Sequence, residues 1–205
     1  MNWDAIIESI RPEMEAMHHA REDALKQSRL LIQTSSKSIR HVHRKQFEEA
    51  ARLLGDARAI AASARASSAN HPEILYAGYI QDAEKEMVEA AAVLAIATGQ
   101  ALPSPAELGV QLPSFLNGMG EAASEARRFL LDLMRAGNYE EATRILGQME
   151  TIYDDLITFD FPDGLTGGLR RTCDALRAVI ERTRSDLTMT HVQAELLAEL
   201  KLHRS

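Results

Sequence analysis

The amino-acid sequence predicts an all-α protein, and three observations support this fold class. Apolar residues recur at the three- and four-residue spacing of helices along almost the whole chain. No stretch sustains the alternation of apolar and polar residues that is typical of strands. Aromatic residues make up only 5% of the chain, whereas Ala, Leu, Glu and Arg are abundant. Because 205 residues suffice for one helical core, we expect a single-domain bundle over residues 1–205.

Seven helices are predicted from this periodicity and from the turn residues between them. Asn70, two residues before a proline, predicts a helix N-cap. Gly137 predicts a helix end, and Asn138 predicts the start of the next helix because its side chain can cap it. Residues 99–113 and 161–168, which are rich in Pro and Gly, predict the longer connections. The predicted helices span residues 2–33, 36–66, 72–98, 114–136, 139–158, 165–187 and 190–202.

Composition and charge exclude several classes of protein. Cys173 is the only cysteine, so an internal disulfide and a cysteine metal site are both excluded. The N-terminal segment lacks the pattern of an export signal, and no stretch is apolar enough to span a membrane, which together predict a cytoplasmic protein. The net charge of −7 confines any nucleic-acid site to a local patch. The excess of acids also fits carboxylates that are gathered around cations.

Two pairs of glutamates stand at helical spacing. Glu86 and Glu89 are three residues apart, and Glu121 and Glu125 are four apart, so each pair projects from one helix face. Like charges at this spacing repel unless a cation lies between them, and an all-oxygen set favours Mg²⁺ or Mn²⁺. However, a helical chain with 30 acidic residues produces many such pairs by chance. On spacing alone, solvated helix faces or ion pairs with arginine are the expected outcome.

A basic stripe is predicted on the helix that contains residue 40, on the side opposite its apolar residues. Such a stripe could follow a phosphate backbone. It is equally consistent with a solvated face on which basic residues pair with the glutamates four residues further on. His41 and His43 are two residues apart and point to different sides, which argues against a metal site formed by both. The basic stripe consists of Lys37, Arg40, His41, Arg44 and Lys45.

Three strings in the sequence resemble the family of translin and its partner, translin-associated factor X (TRAX). EMVEAAAVL (residues 86–94) resembles the E-x-V-E-A helix of that family. GEAASEARRFLLDLMRAGNYEEA (residues 120–142) is similar to its central helix and the following turn, and LRRTCDALRAVIERTRSDLTM (residues 169–189) is similar to its penultimate helix. The resemblance covers most of the chain and implies a translin-like helical fold.

The resemblance also implies an active site. In the TRAX branch four acidic residues cleave RNA with divalent metal, and their positions fall on Glu86, Glu89, Glu121 and Glu125. Translin lacks the first acid of the central-helix pair, so Glu121 implies the catalytic branch, although animal TRAX has Asp there. The reaction implied by this resemblance is Mg²⁺- or Mn²⁺-assisted hydrolysis of RNA. The basic stripe and Arg128 would bind RNA inside a closed homo-oligomer, like the family's barrel-shaped octamers.

Three other functions stay open at this point. A translin-like protein could bind single-stranded RNA or DNA without cutting it. An all-α nucleotide pyrophosphatase also has an E-x-x-E helix and a second acidic pair. That class expects a nearby lysine and an E-x-x-D spacing on the second helix, whereas Glu121 and Glu125 are four apart. A structural helical protein would leave the four glutamates far apart in space. Coordinates test this last alternative directly, because a shared site requires the two pairs to face each other.

Overall fold

The computed structural model describes residues 2–203, and all regular secondary structure in that range is helical, which confirms the all-α fold class. Six long helices are joined by turns, and three of the connections contain one further turn of helix. No helix within residues 2–203 is long and apolar enough to cross a membrane. The nine helices of this range are α1 (Trp3–His43), α2 (Phe47–Ser68), α3 (Pro72–Leu75), α4 (Tyr79–Thr98), α5 (Pro105–Leu108), α6 (Leu112–Arg135), α7 (Tyr139–Leu156), α8 (Asp163–Thr166) and α9 (Leu169–Leu202).

Helix α1 is unbroken for 41 residues, so the predicted break at residues 34–35 is wrong. The Thr34 hydroxyl donates a hydrogen bond to a carbonyl of its own helix (2.9 Å). The Ser38 hydroxyl donates to the Ala50 carbonyl of α2 (2.9 Å). These small polar side chains bond backbone carbonyls inside the α1–α2 contact and do not end the helix. The turn lies at residues 44–46, where Lys45 has a left-handed φ of 58°.

The predicted helix 72–98 is divided in two by a turn before α4. Gly78 has a φ of 104°, a conformation that residues with a Cβ rarely adopt. The Gln81 side chain accepts a hydrogen bond from the Gly78 N–H (3.2 Å), which satisfies a donor at the start of α4. The N-cap of α3 is His71, so the prediction of Asn70 as that cap is wrong by one residue.

The turn between α6 and α7 confirms the prediction. Gly137 adopts a φ of 77°, and the Asn138 side chain accepts a hydrogen bond from the Glu141 N–H (3.3 Å). The prediction of two helices after residue 165 is wrong, because one turn (α8) is followed by a single 34-residue helix, α9. The hydroxyls of Thr188 and Thr190 donate to carbonyls four residues back, so this polar stretch continues as helix.

Helices α4 and α6 form the centre of the fold. Helix α4 packs against α1, α2 and α6, and α6 packs against α4, α7 and α9. Gly118 of α6 makes their close contact possible, because a Cβ there would lie 2.6 Å from the Val88 Cβ and 2.7 Å from the Lys85 carbonyl oxygen. On another side of α4, Glu84 is completely buried and is paired with Arg65 of α2 through two contacts, one of 2.7 Å. Burial nevertheless raises the pKa of the Glu84 carboxyl, and the hydrogen bond and charge of Arg65 offset only part of this increase.

Candidate metal centre

An acidic site lies where α4 and α6 touch. Glu86 and Glu89 of α4 and Glu121 of α6 each offer a carboxylate oxygen, and these oxygens lie within 4.8 Å of one another. Gly118 precedes Glu121 by one helical turn, so the close contact at Gly118 holds Glu121 against α4. Three carboxylates gathered from two helices in this way could hold a divalent ion between them.

The electrostatics of this acidic site favour a cation. Burial, followed by the charges of Glu86, Glu121 and Glu125, raises the pKa of the Glu89 carboxyl to about 8. Burial and the charge of Glu121 likewise raise the pKa of Glu86. Half-buried carboxylates that repel one another are costly, and a divalent ion with oxygen ligands reverses that cost. The donor set, three carboxylates from two rigid helices, fits Mg²⁺ or Mn²⁺.

One cation of the chain itself lies in this site. The Lys85 ammonium contacts the Glu121 carboxylate at 2.7 Å. Burial lowers the pKa of Lys85, but the hydrogen bond and charge of Glu121, with the charges of Glu86 and Asp82, outweigh it and leave the pKa raised. This contact was not predicted from the sequence, because the two residues are on different helices.

Glu125, the fourth predicted acid, lies near the other three but has a different partner. Its charge contributes to the raised pKa of Glu89, yet its oxygens are outside the group of three that could share an ion. Instead its Oε1 is 2.6 Å from the Nε2 atom of His43, near the end of α1. The sequence drew attention to His43 only as a partner of His41, since nothing in it signals a contact across 82 residues.

The basic stripe is on the last turns of α1 and the turn that follows. Lys37, Arg40, Arg44 and Lys45 are exposed, and within residues 2–203 none of the four has a carboxylate partner within 4.0 Å. The alternative pairing with glutamates four residues on does not form in that range. His41 is less exposed, and its Nδ1 is 2.7 Å from the Gln46 side-chain oxygen.

The end of α1 links the basic stripe to the acidic site. Arg40, His43 and Arg44 are spaced i, i+3 and i+4, so they share one helix face, and His43 contacts Glu125. Arg128 of α6, also predicted to bind RNA, is exposed, and its guanidinium is 4.0 Å from the same Glu125 oxygen. Arg128 therefore lies beside Glu125 on α6, and the basic stripe is at the end of α1 from which His43 contacts the same glutamate.

Comparison with known proteins identifies close structural relatives. No protein-family model matches the sequence. The crystal structure of AfC3PO matches with a TM-score of 0.85 and 36% sequence identity, over 91% of this chain and 97% of that chain, and the structure of an AfC3PO–duplex RNA complex gives the same values. Apo-NeC3PO matches with a TM-score of 0.81 over 90% of this chain and 96% of that chain, but at 21% identity it supports the fold alone. An uncharacterized protein of Methanocaldococcus jannaschii is 28% identical over 180 residues, which are 87% of this chain and 79% of that protein.

These similarities agree with the strings that predicted the family. EMVEA (residues 86–90) is part of α4, and GEAASE (residues 120–125) is part of α6, so both lie at the central helix contact. The match to AfC3PO covers nearly all of both chains, and its sequence identity is high enough to indicate a shared family as well as a shared fold. The chain therefore belongs to the translin family, as a C3PO-like member of the archaeal type.

Proposed function

We propose that this protein is a metal-dependent endoribonuclease whose Mg²⁺ or Mn²⁺ ion is held at the contact of α4 and α6. One observation carries the proposal: Glu86, Glu89 and Glu121 bring oxygens from two helices within 4.8 Å of one another. A purely structural protein gains nothing by collecting half-buried like charges. Glu125 is the proposed fourth acid, because it is close enough to influence the Glu89 carboxyl.

RNA is the proposed substrate for two reasons. The similar protein AfC3PO forms a complex with duplex RNA. In this chain the basic stripe has no carboxylate partners within the described residues, so Arg40, Arg44 and their neighbours are free to bind phosphates. Because His43 joins this end of α1 to Glu125, a strand bound along the stripe would pass the acidic site.

The side chains divide the work between holding the ion and holding the RNA. A bound divalent ion would supply a Lewis acid that activates water and neutralises charge on the phosphate. Glu86, Glu89 and Glu121 would fix its position from two packed helices. The basic stripe and Arg128 would hold phosphates beside the scissile bond, as salt-sensitive contacts.

The proposed assembly is a closed homo-oligomer, an octamer by analogy with the family. Residues 3–23 of α1 contain no buried side chain, yet they carry exposed Trp3, Ile6, Ile10 and Met14. Beyond Leu187, α9 also has no buried residue among those described. Apolar faces of this length on a single chain favour contact with further copies. A cavity enclosed by such copies would confine RNA near the acidic sites.

The proposal is tested by RNA cleavage with and without Mg²⁺ or Mn²⁺. Glu89→Gln keeps the shape of the side chain and removes one of the three carboxylate ligands. Because a bound ion is expected to contribute several kcal/mol, the cleavage rate should fall about 100-fold or more. Glu181→Gln is the matched control, because Glu181 is exposed on α9 and paired with Arg177. Unchanged cleavage by Glu89→Gln, or cleavage that survives removal of metal, would contradict the proposal.

The same experiment separates the alternatives that the sequence left open. RNA binding without cleavage at any metal concentration would indicate a translin-like module for RNA or single-stranded DNA. Hydrolysis of nucleoside triphosphates in place of RNA would indicate a pyrophosphatase. RNA binding itself should weaken in Arg40→Ala and Arg44→Ala and fall steeply with salt, because the stripe contacts phosphates.

A further inference from the structure

His43 has a buried side chain and no role in the reaction proposed above. It is near the C-terminal end of α1, and its side chain is only 5% exposed. Its Nε2 atom is 2.6 Å from the Glu125 Oε1 atom of α6. This contact is therefore a short, shielded hydrogen bond between the helix that carries the basic stripe and the helix that carries Glu121 and Glu125.

The hydrogen-bonding pattern of His43 assigns its proton. A carboxylate only accepts hydrogen bonds, so Nε2 is the donor. The Nδ1 atom is buried and has no hydrogen-bond partner within residues 2–203. An unpaired buried N–H costs more than an unused acceptor, so the network favours the tautomer with the proton on Nε2. The only hydrogen-bond partner of the imidazole in the described chain is Glu125.

Glu125 has few other restraints on its orientation. Its i, i+3 neighbour Arg128 is 4.0 Å away and 65% exposed, so that guanidinium fixes the carboxylate weakly. With Oε1 held by His43, Oε2 is the oxygen left for the acidic site. Carboxylates that bind metal ions are commonly held in this way by a second hydrogen-bonded residue, whose loss costs about 10- to 100-fold in metal affinity.

On the basis of the metal site proposed above, we propose that His43 is a positioning residue, which fixes the Glu125 carboxylate next to Glu86, Glu89 and Glu121 so that a cation bound there can draw on its free oxygen. His43 acts through its Nε2–H and does not itself touch the ion. The helix end that presents the basic stripe is thereby tied to the metal ligands. One side chain thus couples the RNA-binding surface to the geometry of the acidic site.

The test uses three substitutions and Mn²⁺ as the probe. In Gln the amide nitrogen is as many bonds from Cα as Nε2 is in His, so His43→Gln can still donate to Glu125. In Asn the amide nitrogen is at the position of Nδ1, one bond closer to Cα, and is too far from Glu125 to donate to it. In Leu there is no donor. We expect His43→Leu and His43→Asn to bind Mn²⁺ about 10- to 100-fold more weakly. His43→Gln should bind close to the unsubstituted protein, as measured by titration calorimetry.

Controls separate positioning from packing. His191→Leu removes an exposed histidine of α9 whose Nε2 atom is 3.3 Å from the Glu195 Oε1 atom. This control should leave the Mn²⁺ affinity unchanged. Melting temperatures in EDTA report folding independently of metal. Adding His43→Leu to Glu125→Gln should cause no further loss of Mn²⁺ affinity, because the histidine acts through that carboxylate.

Each outcome decides one of the two proposals. If the unsubstituted protein binds Mn²⁺ but His43→Gln and His43→Asn bind it equally, positioning by the Nε2–H is wrong. Positioning would also be wrong if the losses of Mn²⁺ affinity from His43→Leu and Glu125→Gln added up in the double variant, since His43 would then not act through Glu125. If the unsubstituted protein binds no Mn²⁺, the proposed function fails and this inference fails with it.

Discussion

At the scale of single residues, the acidic site is a balance between one lysine and several carboxylates. Burial and the neighbouring charges raise the pKa of Glu89 to about 8, so the site is poorly compensated without a cation. Lys85 supplies part of that compensation through its contact with Glu121. In the proposed metal site a divalent ion needs the same Glu121 carboxylate, so Lys85 and that ion would compete.

Replacing Lys85 by Met tests this competition. The thioether keeps a similar length without the charge, so Glu121 is released and Mn²⁺ should bind more tightly. A partly exposed ion pair is worth about 0.5–1 kcal/mol, which corresponds to roughly two- to fivefold in affinity. Without metal the variant should melt at a lower temperature, because the carboxylates lose their compensating charge. Calorimetric titration and thermal melting in EDTA measure the two effects.

A control for this substitution is Lys26→Met, which removes an exposed charge from α1 and should change neither value. Weaker Mn²⁺ binding by Lys85→Met would contradict competition, and would indicate that the lysine supports the site.

Sequence spacing could predict which carboxylates share a helix face, but not what they meet. Both glutamate pairs follow from helical spacing, and the family resemblance distinguished them from the many other acidic pairs of the chain. The contact of Glu125 with His43 depends on how α1 and α6, which both pack against α4, are placed relative to each other. Contacts of that kind are set by packing across the whole bundle, which local periodicity does not describe.

At the scale of helices, the proposed metal site depends on the distance between α4 and α6. Gly118 sets that distance, since its missing Cβ leaves room for Val88 and for the Lys85 carbonyl. Neither contact is the flexible end of a side chain. Any larger residue must therefore move one helix away from the other, and Glu121, one turn from Gly118, moves with α6.

Gly118→Ala should therefore destabilise the protein and weaken Mn²⁺ binding together. Overpacking of this kind costs about 1–3 kcal/mol in the free energy of unfolding, which chemical denaturation can measure. Gly147→Ala is the matched control, because Gly147 is inside helix α7 with open space around it. That control should stabilise the protein by about 0.5–1 kcal/mol and leave Mn²⁺ affinity unchanged. Equal behaviour of the two variants would contradict this role for Gly118.

Some helix boundaries could be predicted from the residues at the boundary itself, whereas others depend on contacts between helices. Gly137 and Asn138 end and start helices through their own backbone and side chain, so their turn was predictable. The break predicted at residues 34–35 failed because Ser38 bonds α2, a contact made only after the helices pack. Polar residues in a helix thus signal either a cap or a close helix contact, and sequence alone does not distinguish the two.

At the scale of the whole molecule, both terminal segments extend away from the core. Residues 3–23 of α1 form about 32 Å of helix without a buried side chain. Near the other end, α9 exposes Val192, Leu196 and Leu200. Leaving such apolar faces in water gives up the free energy that burial would contribute. Contact with other copies of the chain is the simplest way to recover it.

Charges placed on the apolar face of α1 should therefore reduce the size of the assembly. The double substitution Ile10→Glu and Met14→Glu puts two carboxylates on that face, and light scattering should report a smaller mass with the helical content unchanged. Ala5→Glu with Ala16→Glu adds the same charge to the opposite side of α1 and should keep the full mass. Mn²⁺ affinity should be retained by both proteins, because the acidic site lies between α4 and α6 of one chain. Equal masses for the two variants would show that this face of α1 makes no contact between copies.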